Sequence, residues 1–577
     1  MTTKKWPAIS LNLMILLFFA SLLILPLGRL LILAFTSEGQ FTLANIQATL
    51  SRPDIGLAFG HSLFLASLSA FFAVILAFIL AFTVNFTKMS ALLKKAIETL
   101  ALFPMFLPTL AYGYSIIYAF GAQSPLTRLN HDNLILTPFG PQGMVIGFII
   151  YTFPIAFILL NSSMKYIDMR LFTVSRLMGD SRLRSFWTCL IRPLLISICL
   201  AFIQAFFLSF TDFGLPSALA GNYPLLSSLL FSQMQGALAN FGQGTVIALL
   251  MLLPSLLTTA LMVFLQRFQV KQQAKSSFVA FAGRAWDWVF GGASLLIISL
   301  SILVFLPIFV VPFVTAYPYV MDFSLVHLQE VFNNQSLISI YQLTLKMAML
   351  TALIGSVFYF AMAYLATRSR IAGRVFAVFH FLSNMTNAIP GMVLGIAFLF
   401  IFSGTPLNGS LWLLVLVNLI HFLASPYQMA IQALSKLSKH YETTSRLLGD
   451  SFIKTIFKVI LPNIRHTIFE MMSYLFIQSM VTISAIVFLV GVDSQTITTS
   501  MQSLQQFNQY AQVFVLALFL FGTNLLVKLI FHFLGSYDFS ALRARTSHYK
   551  KRILSKKEAI SLESNQLSTV EHTTNGE

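Results

Sequence analysis

Between residues 11 and 535 the chain is a succession of apolar runs separated by short polar loops. The runs cover roughly 11–35, 58–84, 96–120, 143–163, 191–212, 244–265, 289–313, 340–366, 376–402, 411–432, 466–490 and 512–535. A helix needs about 20 predominantly apolar residues to cross the hydrocarbon core. Within that core only helices or closed barrels satisfy every backbone N–H and C=O. The runs are continuous rather than alternating, which excludes a barrel. The expectation is an all-α polytopic membrane protein of about twelve transmembrane helices. With 10% charged residues against 57% hydrophobic ones, the chain has too little charge to dissolve as a soluble protein.

The formal net charge of +17 admits a nucleic-acid partner in principle. The placement of the charge argues against one. Basic residues fall in alternate loops: Lys88, Lys94 and Lys95; Lys165, Arg170, Arg176, Arg182 and Arg184; Arg267, Lys271, Lys275 and Arg284; Arg368, Arg370 and Arg374; Lys436, Lys439, Lys454 and Lys458. The intervening loops carry only Arg52 and Arg128, with no Lys or Arg in 213–242, 314–339, 403–410 or 491–511. This is the positive-inside pattern and puts both termini in the cytoplasm. Lys4 and Lys5 before an apolar run resemble a signal peptide, but the run continues to about Phe35, so it reads as an uncleaved first span. Cys189 and Cys199 are expected to be reduced, with no disulfide framework and no metal site.

The chain is a tandem repeat. Phe41–Gln47 matches Phe323–Gln329, and Pro108 and Gly113 match Pro390 and Gly395, all at an offset of 282. Ser175-Arg176-Leu177-Met178-Gly179-Asp180-Ser181 recurs 270 positions on as Ser445-Arg446-Leu447-Leu448-Gly449-Asp450-Ser451. The shorter 403–410 loop, against 121–142, accounts for the change of offset. Six crossings per repeat is an even number, so the halves have parallel topology about an axis along the membrane normal. The division is a first unit at 1–266, a linker at 267–286, a second unit at 287–535 and a polar tail at 536–577.

The two Ser-Arg-Leu-x-Gly-Asp-Ser loops have the character of handles. Ser175 and Ser181 suit helix caps, and Gly179 suits a sharp turn between them. Leu183, Phe186, Trp187 and Leu190 then follow at a spacing that fits a short helix along the membrane face. Pro193 marks the start of the next span. Gly449, Asp450, Ser451, Ile453, Ile456, Phe457, Ile460 and Pro462 repeat the pattern. Ordinary interfacial loops would explain the amphipathy, but not the recurrence of the motif at one topological place in both halves.

On these residues the chain resembles type I ABC importer permeases, in the fused two-unit form of the ferric-iron, thiamine and 2-aminoethylphosphonate permeases. In that family a cytoplasmic Glu-Ala-Ala, three residues, Gly and a later Leu-Pro mark a coupling helix that docks on an ATPase subunit. The matching glycines are Gly179 and Gly449 and the prolines Pro193 and Pro462. The Glu-Ala-Ala positions hold Thr173-Val174-Ser175 and Thr443-Thr444-Ser445, with Glu442 one residue before the second. Thr211-Asp212-Phe213-Gly214 and a proline-containing third span in each half also resemble that group. The resemblance implies two MetI-like six-helix units in a pseudo-twofold arrangement in a bacterial cytoplasmic (inner) membrane. It further implies two copies of a separate ABC ATPase that bind ATP and Mg, and an extracytoplasmic solute-binding protein. The permease itself would carry no catalytic residue and no cofactor. No Gly-x-x-x-x-Gly-Lys-Ser/Thr occurs in the chain.

Candidate path residues follow from intramembrane polarity. Asp212 is either at the outer mouth of a path or a solvated helix-end carboxylate. Lys346 either attracts an anionic substrate within the path or snorkels outward. Pro104, Pro108 and Pro390 interrupt the third span and its counterpart, as kinks that border a path or serve packing alone. His380 and His421 read as packed neutral histidines, and Glu470 as an edge carboxylate. Thr482, Ser484, Gln204 and Gln478 are interhelical hydrogen-bond candidates. Ferric iron is the first substrate expectation, ahead of 2-aminoethylphosphonate, thiamine or a polyamine. An ion-coupled secondary transporter is the competing class; it would demand mid-span carboxylates, which are scarce here.

Overall fold

A computed structural model of the chain describes residues 6–268, 284–368 and 372–537, apart from positions 38, 132, 135, 169, 237 and 238. Most of the expected linker, with Lys271 and Lys275, the loop residue Arg370, and the tail beyond 537 lie outside the described residues. The described chain is almost wholly helical. Its strands form two small antiparallel hairpins, Thr36–Ser37 with Gln40–Phe41 and Val314–Ala316 with Val320–Phe323. They fall at equivalent places in the two units.

Among the described residues eight helices are long and apolar enough to cross a membrane. They are span one (Ser10–Ala34), two (Pro53–Phe86), four (Pro141–Met164), five (Arg182–Thr211), six (Phe241–Gln266), seven (Ala285–Phe313), eight (Gln335–Arg368) and twelve (Tyr510–Ser536). Spans nine and ten are bent pairs, Val375–Ala388 with Gly391–Phe402 at 102° and Leu411–His421 with Ala424–Lys436 at 55°, which bring the number to ten. The other two expected spans are not single long apolar helices. Span three is divided into Ala91–Leu100, Phe103–Phe106 and Thr109–Phe120. Span eleven is Leu461–Val481, whose apolar character is diluted by Arg465, His466 and Glu470, and the chain beyond it runs through turns to residue 490.

The prolines expected to kink the third span in each unit do more than that. Pro108 and Pro390 are extended and stand immediately before Thr109–Phe120 and Gly391–Phe402. A proline has no N–H to give and forces the residue before it out of the helical region. Leu107 is accordingly extended, and the span is broken rather than bent.

The repeat holds element by element. Pro53–Phe86 and Gln335–Arg368 are both 34 residues, and Thr109–Phe120 and Gly391–Phe402 both 12. The units also exchange parts. Leu25–Ala34 of span one packs on Gly391–Phe402 of the second unit, and span seven packs on Thr109–Phe120 of the first. Phe103 meets Phe305, Phe309 and Phe521 of the second unit with ring centroids 4.9–6.0 Å apart. Within a unit the tightest pairing is span two on span four, where Ala66, Ala70, Ala73, Ala77 and Ala81 form a buried stripe. In lipid, where apolar surface gains nothing by leaving the solvent, such small residues allow the close backbone approach that holds helices together.

Candidate coupling loops and the central contact

The recurring seven-residue motif is the wiring of a tight helix–turn–helix. In the first unit, helix Arg170–Leu177 ends at Gly179, whose φ of +91° is the left-handed conformation that glycine takes without penalty. Ser175 Oγ donates to Asp180 Oδ2 at 2.7 Å and lies 2.9 Å from Ser185 Oγ. Ser181 caps the next helix by accepting from the Arg184 N–H, and Arg184 pairs with Asp180 at 3.2 Å. The second unit repeats each contact. Gly449 has φ +83°, Ser445 Oγ donates to Asp450 Oδ2 at 3.0 Å, Ser445 and Thr455 hydroxyls are 3.0 Å apart, and Lys454 pairs with Asp450. Lys454 and the Ser445 hydroxyl hold the Asp450 carboxyl below its ordinary range. The motif residues between the serine and the glycine point away from the body: Leu177, Met178 and Leu447 are each 82% exposed and Leu448 78%.

Beyond each motif the structure differs from the expected helix along the membrane face. Arg182–Phe186 runs through a π-helical turn, Trp187–Ile191, directly into Arg192–Thr211, so the handle is the end of span five itself. The wider turn lets the Arg192 N–H reach the Trp187 carbonyl five residues back, just before Pro193, which has no N–H to offer. Ile456–Ile460 and Pro462 do the same for span eleven.

At the far end of span five, Asp212 joins two segments. Its Oδ1 accepts from Thr109 Oγ1 and its Oδ2 from the Leu215 N–H, both at 2.8 Å. It therefore ties the turn after span five to the break in span three beside Pro108. Gly113 permits this approach, since a Cβ there would stand 2.4 Å from the Ala218 Cβ. Gly395 plays the same part against the Ala485 carbonyl, 2.6 Å from an added Cβ. Past these segments, helices Leu226–Gln235 and Ile497–Gln506 each reach across to the other unit. Gln235 Nε2 donates to the Val487 carbonyl at 3.0 Å, Phe231 and Phe488 have centroids 6.1 Å apart, and Tyr114 donates to Gln505 Oε1 at 2.7 Å.

The family of binding-protein-dependent transport system inner membrane components matches residues 73–272 and again 363–536. The chain belongs to this family. One match falls in each half of the repeat, and the family's members are non-enzymatic membrane subunits of ABC transporters. The permease is 22% identical over 515 residues to a ferric transport system permease protein of Actinobacillus pleuropneumoniae, covering 85% of this chain and 72% of the relative. It is 22% identical over 521 residues to a putative ferric transport system permease protein of Haemophilus influenzae, covering 86% and 80%. A sulfate transport system permease protein of Escherichia coli is 26% identical over 215 residues, covering 34% of the permease and 76% of the relative.

Of the candidate path residues, the structure brings Asp212 and Pro108 together and places Pro390 at the equivalent break. Lys346 stands apart from them. It lies on an exposed stripe of span eight with Met349, Leu353 and Val357, at the repeat position that Phe64 occupies on the exposed face of span two. His380 meets Gln428 at 3.2 Å and stacks on Phe376, and Glu470 lies 3.7 Å from His466. The sequence reading missed Gln235, Tyr114 and Gln505, because nothing in a polar residue's own neighbourhood says that its partner lies in the other unit. It also left Glu442 without a partner, which the structure supplies from span eight.

Proposed function

We propose that this permease is the transmembrane subunit of an ATP-driven ferric-iron importer in a bacterial cytoplasmic membrane, with both termini and both handles on the cytoplasmic side. Two copies of a separate ABC ATPase dock on the handles and hold ATP and Mg, and an extracytoplasmic binding protein delivers the iron. The observation that carries the docking is the pair of identically wired handles with exposed apolar tips, Leu177-Met178 and Leu447-Leu448. The support for iron is the likeness to ferric permeases over most of the chain.

In this reading span five is the transmission. Arg192–Thr211 is 20 residues, so a handle displacement is carried about 30 Å along a continuous helix to Asp212. There the Thr109 and Leu215 contacts pass it to the broken third span and to the Gln235–Val487 contact between the units. Closure of the ATPase dimer draws the handles together and parts the central contact; hydrolysis resets both. The test is uptake of radioactive ferric iron into proteoliposomes that hold the permease and its ATPase, with ferric-loaded binding protein outside. ATP-dependent iron uptake is expected. Uptake that proceeds without ATP, driven by a proton or sodium gradient, refutes the reading.

A further inference from the structure

The two handles are alike in their own wiring but are fastened to the membrane body by different chemistry. In the second unit Glu442, in the first turn of His440–Leu447, turns inward. Its Oε1 lies 3.4 Å from Nε of Arg368, the last residue of span eight, and the two side chains are 9% and 2% exposed. Tyr364 donates to the other carboxylate oxygen at 3.1 Å. The Arg368 guanidinium also donates to the carbonyls of Leu434 and Leu437, where span ten ends. One buried charge cluster thus joins the handle to two spans.

The repeat offsets put Phe82, Phe86 and Phe172 where Tyr364, Arg368 and Glu442 stand. Phe82 and Phe86 are buried with centroids 5.4 Å apart, Phe82 lies 6.3 Å from Phe186 of the first handle, and Phe172 is partly buried against the core. At these positions the first handle meets the body through an apolar, non-directional contact that lets it slide or tilt, and the Lys165–Glu98 pair where span four leads into it is half-exposed at 3.6 Å. The second is held by a pair whose separation costs a buried charge its partner.

We infer that Arg368 and Glu442 are positioning residues that latch the second handle to spans eight and ten, so that the second unit moves rigidly with its ATPase while the first follows with slack. This rests on the handles being ATPase docking sites. It concerns how motion is passed on, and Glu442 touches neither ATP nor substrate.

The test compares three complexes, each of full-length permease with its ATPase and binding protein in proteoliposomes: wild type, E442Q, and the double variant R368F/E442F, which installs the first unit's residues at both positions. The readout is ferric iron imported per ATP hydrolysed, together with ATPase retained on purification. E442Q is expected to retain the ATPase but to lose about tenfold in iron per ATP, within the range reported for residues that couple distant sites. R368F/E442F is expected to retain the ATPase but to lose the ratio as E442Q does, because an apolar contact seats the handle without holding it rigid. A normal ratio in E442Q overturns the inference. So does a double variant with a normal ratio, which would mean that an apolar seat serves as well as the charge pair. Failure of the wild-type complex to retain any ATPase would instead sink the docking reading beneath it.

Discussion

The proposed docking of the motor on the handle tips can be measured directly. Replace Leu447 and Leu448 with serine in one variant, Leu177 and Met178 in a second, and all four in a third. These side chains are 78–82% exposed, so almost all of their apolar surface is available for a partner to cover. Burying one such side chain fully stabilises an interface by roughly 1.5–3 kcal/mol. Two per handle give roughly 3–6 kcal/mol gross, and imperfect burial with ordering costs leaves about 3 kcal/mol. That is a loss of about a hundredfold in ATPase affinity per handle. Because the same side chains make little contact within the permease, its own melting temperature should stay within a degree or so of wild type, as is usual for surface substitutions. The assay is titration of the purified ATPase against detergent-solubilised permease, with thermal unfolding of the permease alone as control. A Kd within about threefold of wild type in the four-residue variant, with unfolding unchanged, would refute the docking role, since interface anchors typically cost far more.

Three further outcomes follow from local geometry. Gly179→Ala and Gly449→Ala should each cost about 1 kcal/mol by strain alone, because no atom lies within 4 Å of an added Cβ while φ is +91° and +83°; asparagine should be better tolerated, as read by thermal unfolding. The Asp450 carboxyl is held low, so its contribution is complete above the ordinary carboxylate pKa and disappears only as pH falls through the depressed value; a spin label at L448C should report an ordered handle at pH 5 and loosening below about pH 4. Gly214→Ser places a Cβ 2.2 Å from Thr109 Oγ1 and Thr109→Gly removes a hydrogen bond to Asp212, yet the double variant recreates the second unit's Gly391 and Ser484; a double-mutant cycle on unfolding should show a favourable coupling of about 1 kcal/mol or more.

Much of this architecture is written in one-dimensional signals. Apolar runs mark the spans because lipid tolerates little else, and the offsets of 282 and 270 mark the two units. The handles are legible for a local reason: each of their hydrogen bonds closes within ten residues, from Ser175 to Asp180 and Ser185. What was not legible is what depends on distance along the chain. A proline shows that a helix is disturbed, but only packing against the segments after spans five and eleven decides that Pro108 and Pro390 mark full breaks. Lys346 looks like a path residue from hydropathy alone, and its position on the exposed stripe depends on which helices flank span eight. Arg368 and Glu442 are 74 positions apart, and each passes in isolation for a loop charge.

The duplication also shows which residues the fold cannot exchange and which it can. The prolines at the breaks, the glycines facing the segments after spans five and eleven, and the Ser–Gly–Asp–Ser handle wiring are present in both units, and each fixes a backbone path. Side chains that only fill space or supply polarity have moved between partners. Thr109 fills the space over Gly214 in the first unit, whereas in the second Ser484, on the opposite segment, fills the space over Gly391. An aromatic cluster fastens one handle and a charge cluster the other. Both solutions fill a buried surface, and the second also sets its buried charges against each other as an ion pair. Under the proposed docking, two units with one backbone and different fastenings would take the motor at equivalent places and pass its pull on unequally. The pseudo-twofold symmetry therefore belongs to the scaffold and not to the forces that pass through it.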